Sequence, residues 1–192
     1  MTRSIGNNYP NLSLYIKHSL DFCLVIFNFL YDLKGVNLVD LEKLLKNHII
    51  VDIQAKTKEE ALRELVYRLA RIEKLKDPEL LLQNLLERES LSSTGLGFGI
   101  AFPHIRSHLV EKPIILAARS KYEIEYDSID GYPVRLFFLF IIPQDNPKVG
   151  IQILSMLTRL LKKEDVRQKL LRAKNEKEFI ASLKFSDSTF PK

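Results

Sequence analysis

The sequence predicts an α/β fold, a mixed β-sheet sandwiched between helices, with an extension at the N-terminus. Three observations carry this. Residues 134–142 are nearly all apolar, as a central strand covered on both faces requires. Residues 48–53 and 113–119 are further apolar or β-type runs. Between and after these runs, leucines recur at helical spacing. Strands separated by helices call for layers of helix on sheet.

Residues 1–36 are rich in Asn, Ser, Tyr and Phe and end near Gly35; they read as an extension holding at most one short apolar helix. Its apolar stretch, 22–30, is interrupted by Asn28 and falls well short of the ~20 residues that span a bilayer. Tyr31-Asp32-Leu33-Lys34 stands where a secretory leader would carry small residues. A helix docked on a core or partner is expected, and membrane association is not. The main domain is expected over 37–186 and a frayed tail over 187–192. Within the domain, 39–45 reads as a short helix after Asn37 and 48–53 as a strand. Thr57-Lys58-Glu59-Glu60 matches a capping box, in which Thr and Glu satisfy each other's orphan N–H groups. The helix behind it places Ala61, Leu62, Leu65, Val66 and Leu69 on one face. Asp77-Pro78 supplies an N-cap and a proline at the first helical position. That helix buries Leu81, Leu82, Leu85 and Leu86 and carries Arg88 near its end. After a glycine-rich stretch come β-type runs at 113–119 and 124–127, then a turn at Asp130-Gly131. The central strand breaks over 143–147. Ile153, Leu154, Leu157, Leu160 and Leu161 mark an amphipathic helix, and 165–173 and 176–183 two more, the last capped by Asn175.

Composition narrows the function classes. In 192 residues, 46% hydrophobic and 28% charged, there is no collagenous or low-complexity character. A single cysteine, Cys23, excludes an internal disulfide framework and a multi-cysteine zinc site, and suits a reducing cytosol. A cytoplasmic protein is expected, with neither metal nor cofactor. The formal charge of +5 comes without long Lys/Arg runs, so no nucleic-acid partner is expected; anionic partners or phosphate fit better.

One segment stands out for chemistry: residues 88–106, R-E-S-L-S-S-T-G-L-G-F-G-I-A-F-P-H-I-R. Glycines allow close backbone approach to an anion, and Ser92, Ser93 and Thr94 offer hydroxyls. Arg88 and Arg106 can each neutralise phosphate oxygens in a bidentate fork. Pro103 restricts Phe102 to extended geometry, so His104 sits at the end of an extended stretch, where a neutral imidazole can attack a phosphoryl group. The pattern is neither the nucleotide P-loop nor the dinucleotide fingerprint. On the residues alone, a glycine-rich connection with a solvent-facing histidine fits equally well.

The segment resembles the fructose/mannitol-type IIA domains of the bacterial phosphotransferase system, which include the nitrogen-regulatory IIA proteins. Those carry a stretch like R-E-x-x-G-S-T-G-I-G-N-G-I-A-I-P-H-G, and here Arg88-Glu89 leads to Ser93-Thr94-Gly95 and Pro103-His104 with the same interval. Residues 124–134 resemble the family's I-x-F-D-x-x-D-G-x-P-V hairpin, and similarity extends over about 41–184. The resemblance implies that His104 accepts a phosphoryl group from an HPr-like phosphocarrier, with Arg88 stabilising the phosphate. The group would then pass to a IIB component, or its presence would control a regulated protein target. The absence of fused IIB or permease segments favours the nitrogen-regulatory type.

Three departures surround the site. Phe98 replaces the usual Asn between glycines, and Ile105 replaces the Gly after the histidine. Many members carry a second histidine on the helix after the central strand; the corresponding position here is Gly150, which offers only a backbone N–H. His108 is an accessory candidate, four residues past His104. These departures leave an alternative: an interaction module that transfers nothing, with Phe98 and Ile105 as apolar contacts beside His104.

Overall fold

The structure, a computed structural model, describes residues 41–145 and 148–183. The expected extension, its boundary at residue 36 and the tail lie outside the described residues. Among the described residues, six helices and six strands follow in order. They are α1 (Leu41–Leu45), β1 (Ile49–Ile53), α2 (Lys58–Glu73), α3 (Pro78–Leu91), β2 (Gly95–Gly97), β3 (Ile100–Ala101), β4 (His104–Ser107), β5 (Ile114–Ile124), β6 (Val134–Pro143), α4 (Lys148–Leu161), α5 (Glu164–Arg172) and α6 (Glu176–Ser182).

The helix starts follow from local chemistry. Thr57 accepts from the Glu60 N–H at 3.2 Å while the Glu60 carboxylate accepts from the Thr57 N–H at 3.3 Å, completing the capping box. Asp77 caps α3 by accepting from Leu80 N–H, with Pro78 in the first turn. Asn175 caps α6 through Glu178 N–H. The apolar stripe expected on α2 is buried in full.

The sheet order is β1-β5-β6-β3-β2, with β4 also paired to β6. β6 is the hub. It runs antiparallel to β5 on one side and parallel to β3 and β4 on the other. β3 and β4 form two lengths of one line along β6, with Ile100 opposite Leu136 and His104 opposite Phe140. Phe102-Pro103 separates them because Pro103 has no N–H for the ladder. Its carbonyl still accepts from Phe140 N–H at 2.9 Å. One face of β6, with Phe137, Leu139 and Ile141, shares a core with Leu62, Leu65 and Leu69 of α2 and Leu81 and Leu85 of α3. Alternation turns Phe138, Phe140 and Ile142 to the other face. There the Phe102 ring lies 5.5 Å from Phe138 and 5.8 Å from Phe140, and α4 approaches Ile142 through Gly150.

The β-type run at 113–119 continues to Ile124 as one strand, β5, and of the run expected at 124–127 only Ile124 lies in a strand. Lys121, Tyr122 and Glu123 are exposed in succession, and the pairing with β6 slips between Arg119 and Ile124. The alternating pattern that marks a strand is lost there although the strand continues. Buried Arg119 of β5 ties the layers together. It donates to Asp52 at 2.8 Å and to the carbonyls of Leu171 and Ala173 at 2.8 and 2.6 Å.

Candidate functional site

The site forms where α3 ends and β4 begins. Arg88 lies in the last turn of α3, and His104 is the first residue of β4. The Arg88 guanidinium donates through one nitrogen to Ser92 O at 2.9 Å and through another to His104 Nε2 at 3.3 Å. On the opposite side of the ring, His104 Nδ1 lies 2.9 Å from Phe102 O. A guanidinium only donates and a carbonyl only accepts. The two contacts therefore select one tautomer, with the proton on Nδ1 and the lone pair on Nε2. Burial, then the charge of Arg88 and, less, that of Arg106, depress the ring's pKa to about 4, outweighing the opposing bond to Phe102 O. The half-buried ring is thus neutral at pH 7 with a nucleophilic nitrogen beside a fixed positive charge.

Arg106 stands two residues along β4 and is exposed; strand alternation puts it on the same face as His104. His108 follows in an exposed turn. Gly150 is the third residue of α4, where N–H groups lack intrahelical acceptors. It packs so near β6 that a Cβ would stand 2.7 Å from Ile142 Cδ1. Ile142 pairs with Arg106 as Phe140 pairs with His104, so the first turn of α4 shares their face.

Ser93 and Thr94 sit beside this group with their hydroxyl protons committed. Ser93 donates to Tyr126 O at 2.6 Å, and Thr94 Oγ1 donates to Glu89 Oε2 at 2.7 Å. Glu89, 4% exposed, also accepts from Thr94 N–H at 2.7 Å and pairs with Lys58 at 3.2 Å. Tyr126 completes the cluster beneath, its hydroxyl 3.4 Å from Thr94 Oγ1 and its pKa raised by burial. This cluster clamps residues 92–95 against α3, next to Arg88. Sequence reasoning missed Glu89, although the signal was there. Leu81, Leu85 and Glu89 recur every four residues, which puts a carboxylate on the buried stripe and obliges it to find partners. It also left unnamed the acceptor that fixes the histidine tautomer, the Phe102 carbonyl.

Two residues fall elsewhere than expected. Ile105, 5% exposed, is packed in the core on the α2/α3 side and presents no contact surface. Phe98 is exposed but lies far along the sheet from His104. Gly99 O accepts from Arg135 and Leu136 N–H, while His104 is opposite Phe140. At 3.3 Å per residue the two are about 16 Å apart.

Among the described residues no helix is long and apolar enough to cross a membrane, and no group of three or more His, Cys, Asp or Glu is placed to hold a metal ion.

The family model described as "Phosphoenolpyruvate-dependent sugar phosphotransferase system, EIIA 2" matches residues 42–186. The fructose-specific EIIABC component of Bacillus subtilis is 38% identical over 135 residues, 70% of this chain but 21% of that protein. The fructose-specific EIIA component of Haloferax volcanii is 40% identical over 120 residues, 62% of this chain and 78% of that protein. A nitrogen regulatory protein of Pseudomonas aeruginosa is 30% identical over 134 residues, covering 69% and 87%. Among solved structures, the nitrogen regulatory protein IIA-Ntr of Neisseria meningitidis superposes with a TM-score of 0.67 at 29% identity, covering 71% of this chain and 93% of that one. A complex of IIA and phosphorylated IIB of the Escherichia coli mannitol system contains a chain with a TM-score of 0.61 at 25% identity, covering 72% and 94%.

Proposed function

Since the chain belongs to the EIIA 2 family of the phosphoenolpyruvate-dependent sugar phosphotransferase system, we propose that it accepts a phosphoryl group on Nε2 of His104 from an HPr-like phosphohistidine carrier. The observation that carries this reading is the pair of contacts on the imidazole. Phe102 O holds the proton at Nδ1, and the Nε2 lone pair faces Arg88. In the transfer, the P–N bond to the carrier's ring breaks as the Nε2–P bond forms. The carrier's imidazole leaves with the bonding electron pair, and the ring's positive charge passes to His104, where the Nδ1–H bond to Phe102 O stabilises it. A gap of 3.3 Å has no room for a phosphorus atom, so the guanidinium shifts outward and follows the phosphate oxygens. Arg106 and the first-turn N–H groups of α4, including that of Gly150, add positive potential on the same face. Ser93 and Thr94 serve the phosphate by holding their loop in place, since their hydroxyl protons are already engaged.

We favour regulatory use of the phosphorylated state, as in the nitrogen-regulatory type. The likeness to IIA-Ntr supports it, as does Gly150, which supplies no second imidazole for handing the group on. Onward transfer to a IIB component is the second reading, favoured by the higher identity to the fructose components.

Intact-mass measurement after incubation with phosphoenolpyruvate, Enzyme I and a phosphocarrier tests the acceptor role. The expected result is a gain of one phosphoryl group, abolished by His104→Ala and kept by His108→Ala. No gain with a competent carrier, or a gain that survives His104→Ala, overturns it. Rapid discharge of the phosphorylated chain by a fructose-type IIB would replace the regulatory reading with the transport one.

A further inference from the structure

We infer that Glu89 is a positioning residue for phosphoryl acceptance, acting through Thr94 on both groups that address the imidazole. The inference rests on the acceptor role of His104 proposed above. Two contacts define the ring, Arg88 at Nε2 and Phe102 O at Nδ1. Both trace back to residues 92–94. The Arg88 guanidinium is anchored on Ser92 O at 2.9 Å. Phe102, whose carbonyl accepts from Nδ1–H, is itself tied by its own N–H to Thr94 O at 3.0 Å. Pro103 restricts Phe102 to extended geometry, so holding Phe102 by its N–H also aims its carbonyl.

Residues 92–94 lie in neither helix nor strand, so no ladder of backbone bonds sets their course. Glu89 does. Its Oε1 accepts from Thr94 N–H and its Oε2 from Thr94 Oγ1, each at 2.7 Å. Thr94 is thereby engaged at all three of its polar groups, two on Glu89 and the carbonyl on Phe102. Lys58 completes the grip from the start of α2. Its ammonium lies 3.2 Å from both Glu89 and Asp127 and 4.6 Å from the centroid of the Tyr126 ring. A buried carboxylate without such partners is costly, and beside an anion site it would repel the incoming phosphate. Arg88 and Glu89 are consecutive on α3 and so point about 100° apart around its axis. One reaches outward to the ring, and the other inward to the segment that holds the ring's partners.

Packing alone does not account for a carboxylate at this place. It continues the stripe of Leu81 and Leu85, where an apolar residue would hold α3 to the core as well as a buried ion pair does. What the carboxylate adds is direction, since a hydrogen bond constrains distance and angle while apolar contact constrains neither. Direction matters here because a displacement of about 1 Å at a reacting centre costs up to about 100-fold in rate.

Two pairs of variants of the full chain test this. Glu89→Met keeps the bulk and removes both acceptor oxygens. Glu89→Gln loses the same charge, but its amide can accept from Thr94 N–H and donate to Thr94 Oγ1. Thr94→Val removes the hydroxyl and Thr94→Ser keeps it. Rapid-mixing intact-mass measurement follows acceptance from a phosphorylated HPr-like carrier, and nitrogen NMR of the imidazole reads the His104 tautomer with no phosphoryl donor present. In Glu89→Met and Thr94→Val the maximal acceptance rate should fall by about 10- to 100-fold at an unchanged half-saturating carrier concentration. In both, the proton should spread over the two ring nitrogens. Glu89→Gln and Thr94→Ser should keep most of the rate and the single tautomer. A role in stability alone would lower the melting temperature and move neither readout. Wild-type rate with a single tautomer in Glu89→Met and Thr94→Val overturns the proposal, and so does a Gln or Ser variant as impaired as its counterpart. If Glu89→Met does not fold, the Thr94 pair decides. A wild-type chain that accepts no phosphoryl group overturns the acceptor reading and this one with it; normal acceptance by wild type and by the impaired-by-design variants overturns this one alone.

Discussion

Arg88 and Phe102 address opposite nitrogens of one imidazole, and each does something the other cannot. The carbonyl decides where the proton sits; the guanidinium makes a second positive charge on the ring unfavourable. Arg88→Gln should therefore raise the His104 pKa above about 4. It should remain short of the ordinary 6.5, since burial is the larger cause and stays in place. An imidazole NMR titration measures this shift. The same variant should slow phosphoryl acceptance by about 100-fold, as expected for loss of one fixed donor to transition-state charge. His104 and Arg88 were legible in the sequence because their interval is a motif. The Glu89–Thr94–Lys58 clamp was not, because it joins three elements through contacts that no local pattern spells out.

At the scale of the element, capping signals were the most legible feature, since each requires residues only three or four apart. Thr57→Ala removes the acceptor for Glu60 N–H and should lower stability by about 1 kcal/mol in urea unfolding. The N-terminus of α4 is the opposite case. The sequence shows only a glycine there, and it is the fold that shows what the glycine permits, a helix seated directly on Ile142. Gly150→Ala should cost about 1–3 kcal/mol through overpacking. The cost should be smaller in an Ile142→Val background, which removes the nearest methyl; thermal melts of the four chains in that cycle give the coupling. The single strand β5 was legible only in part, because exposed Lys121, Tyr122 and Glu123 erase its alternation.

For the molecule as a whole, groups held away from ordinary titration set the response to acid. His104 is depressed to about 4 from 6.5, so the unfolded chain takes up a proton between those values before the folded chain does. Stability should fall as the pH drops from 6.5 to 4, and His104→Gln should remove that part of the fall. Urea midpoints at pH 7.0, 5.5 and 4.5 check both. A later loss, below 3.8, comes from Asp52, held low chiefly by its hydrogen bond to Arg119, and from Asp130, held low by Phe98 N–H. The architecture was legible because a nine-residue, nearly all apolar run rich in aromatic and β-branched residues, broken by Pro143, reads as a covered strand; its neighbours were not, since pairing is a long-range outcome. The shared rail that β3 and β4 lay along β6 has a steric corollary. A folded visitor of ordinary size claims a disc of roughly 16 Å radius, about 800 Å². A disc centred on the imidazole reaches as far as the Phe98 turn, so a visiting carrier's footprint takes in the length of the rail and not the acceptor end alone.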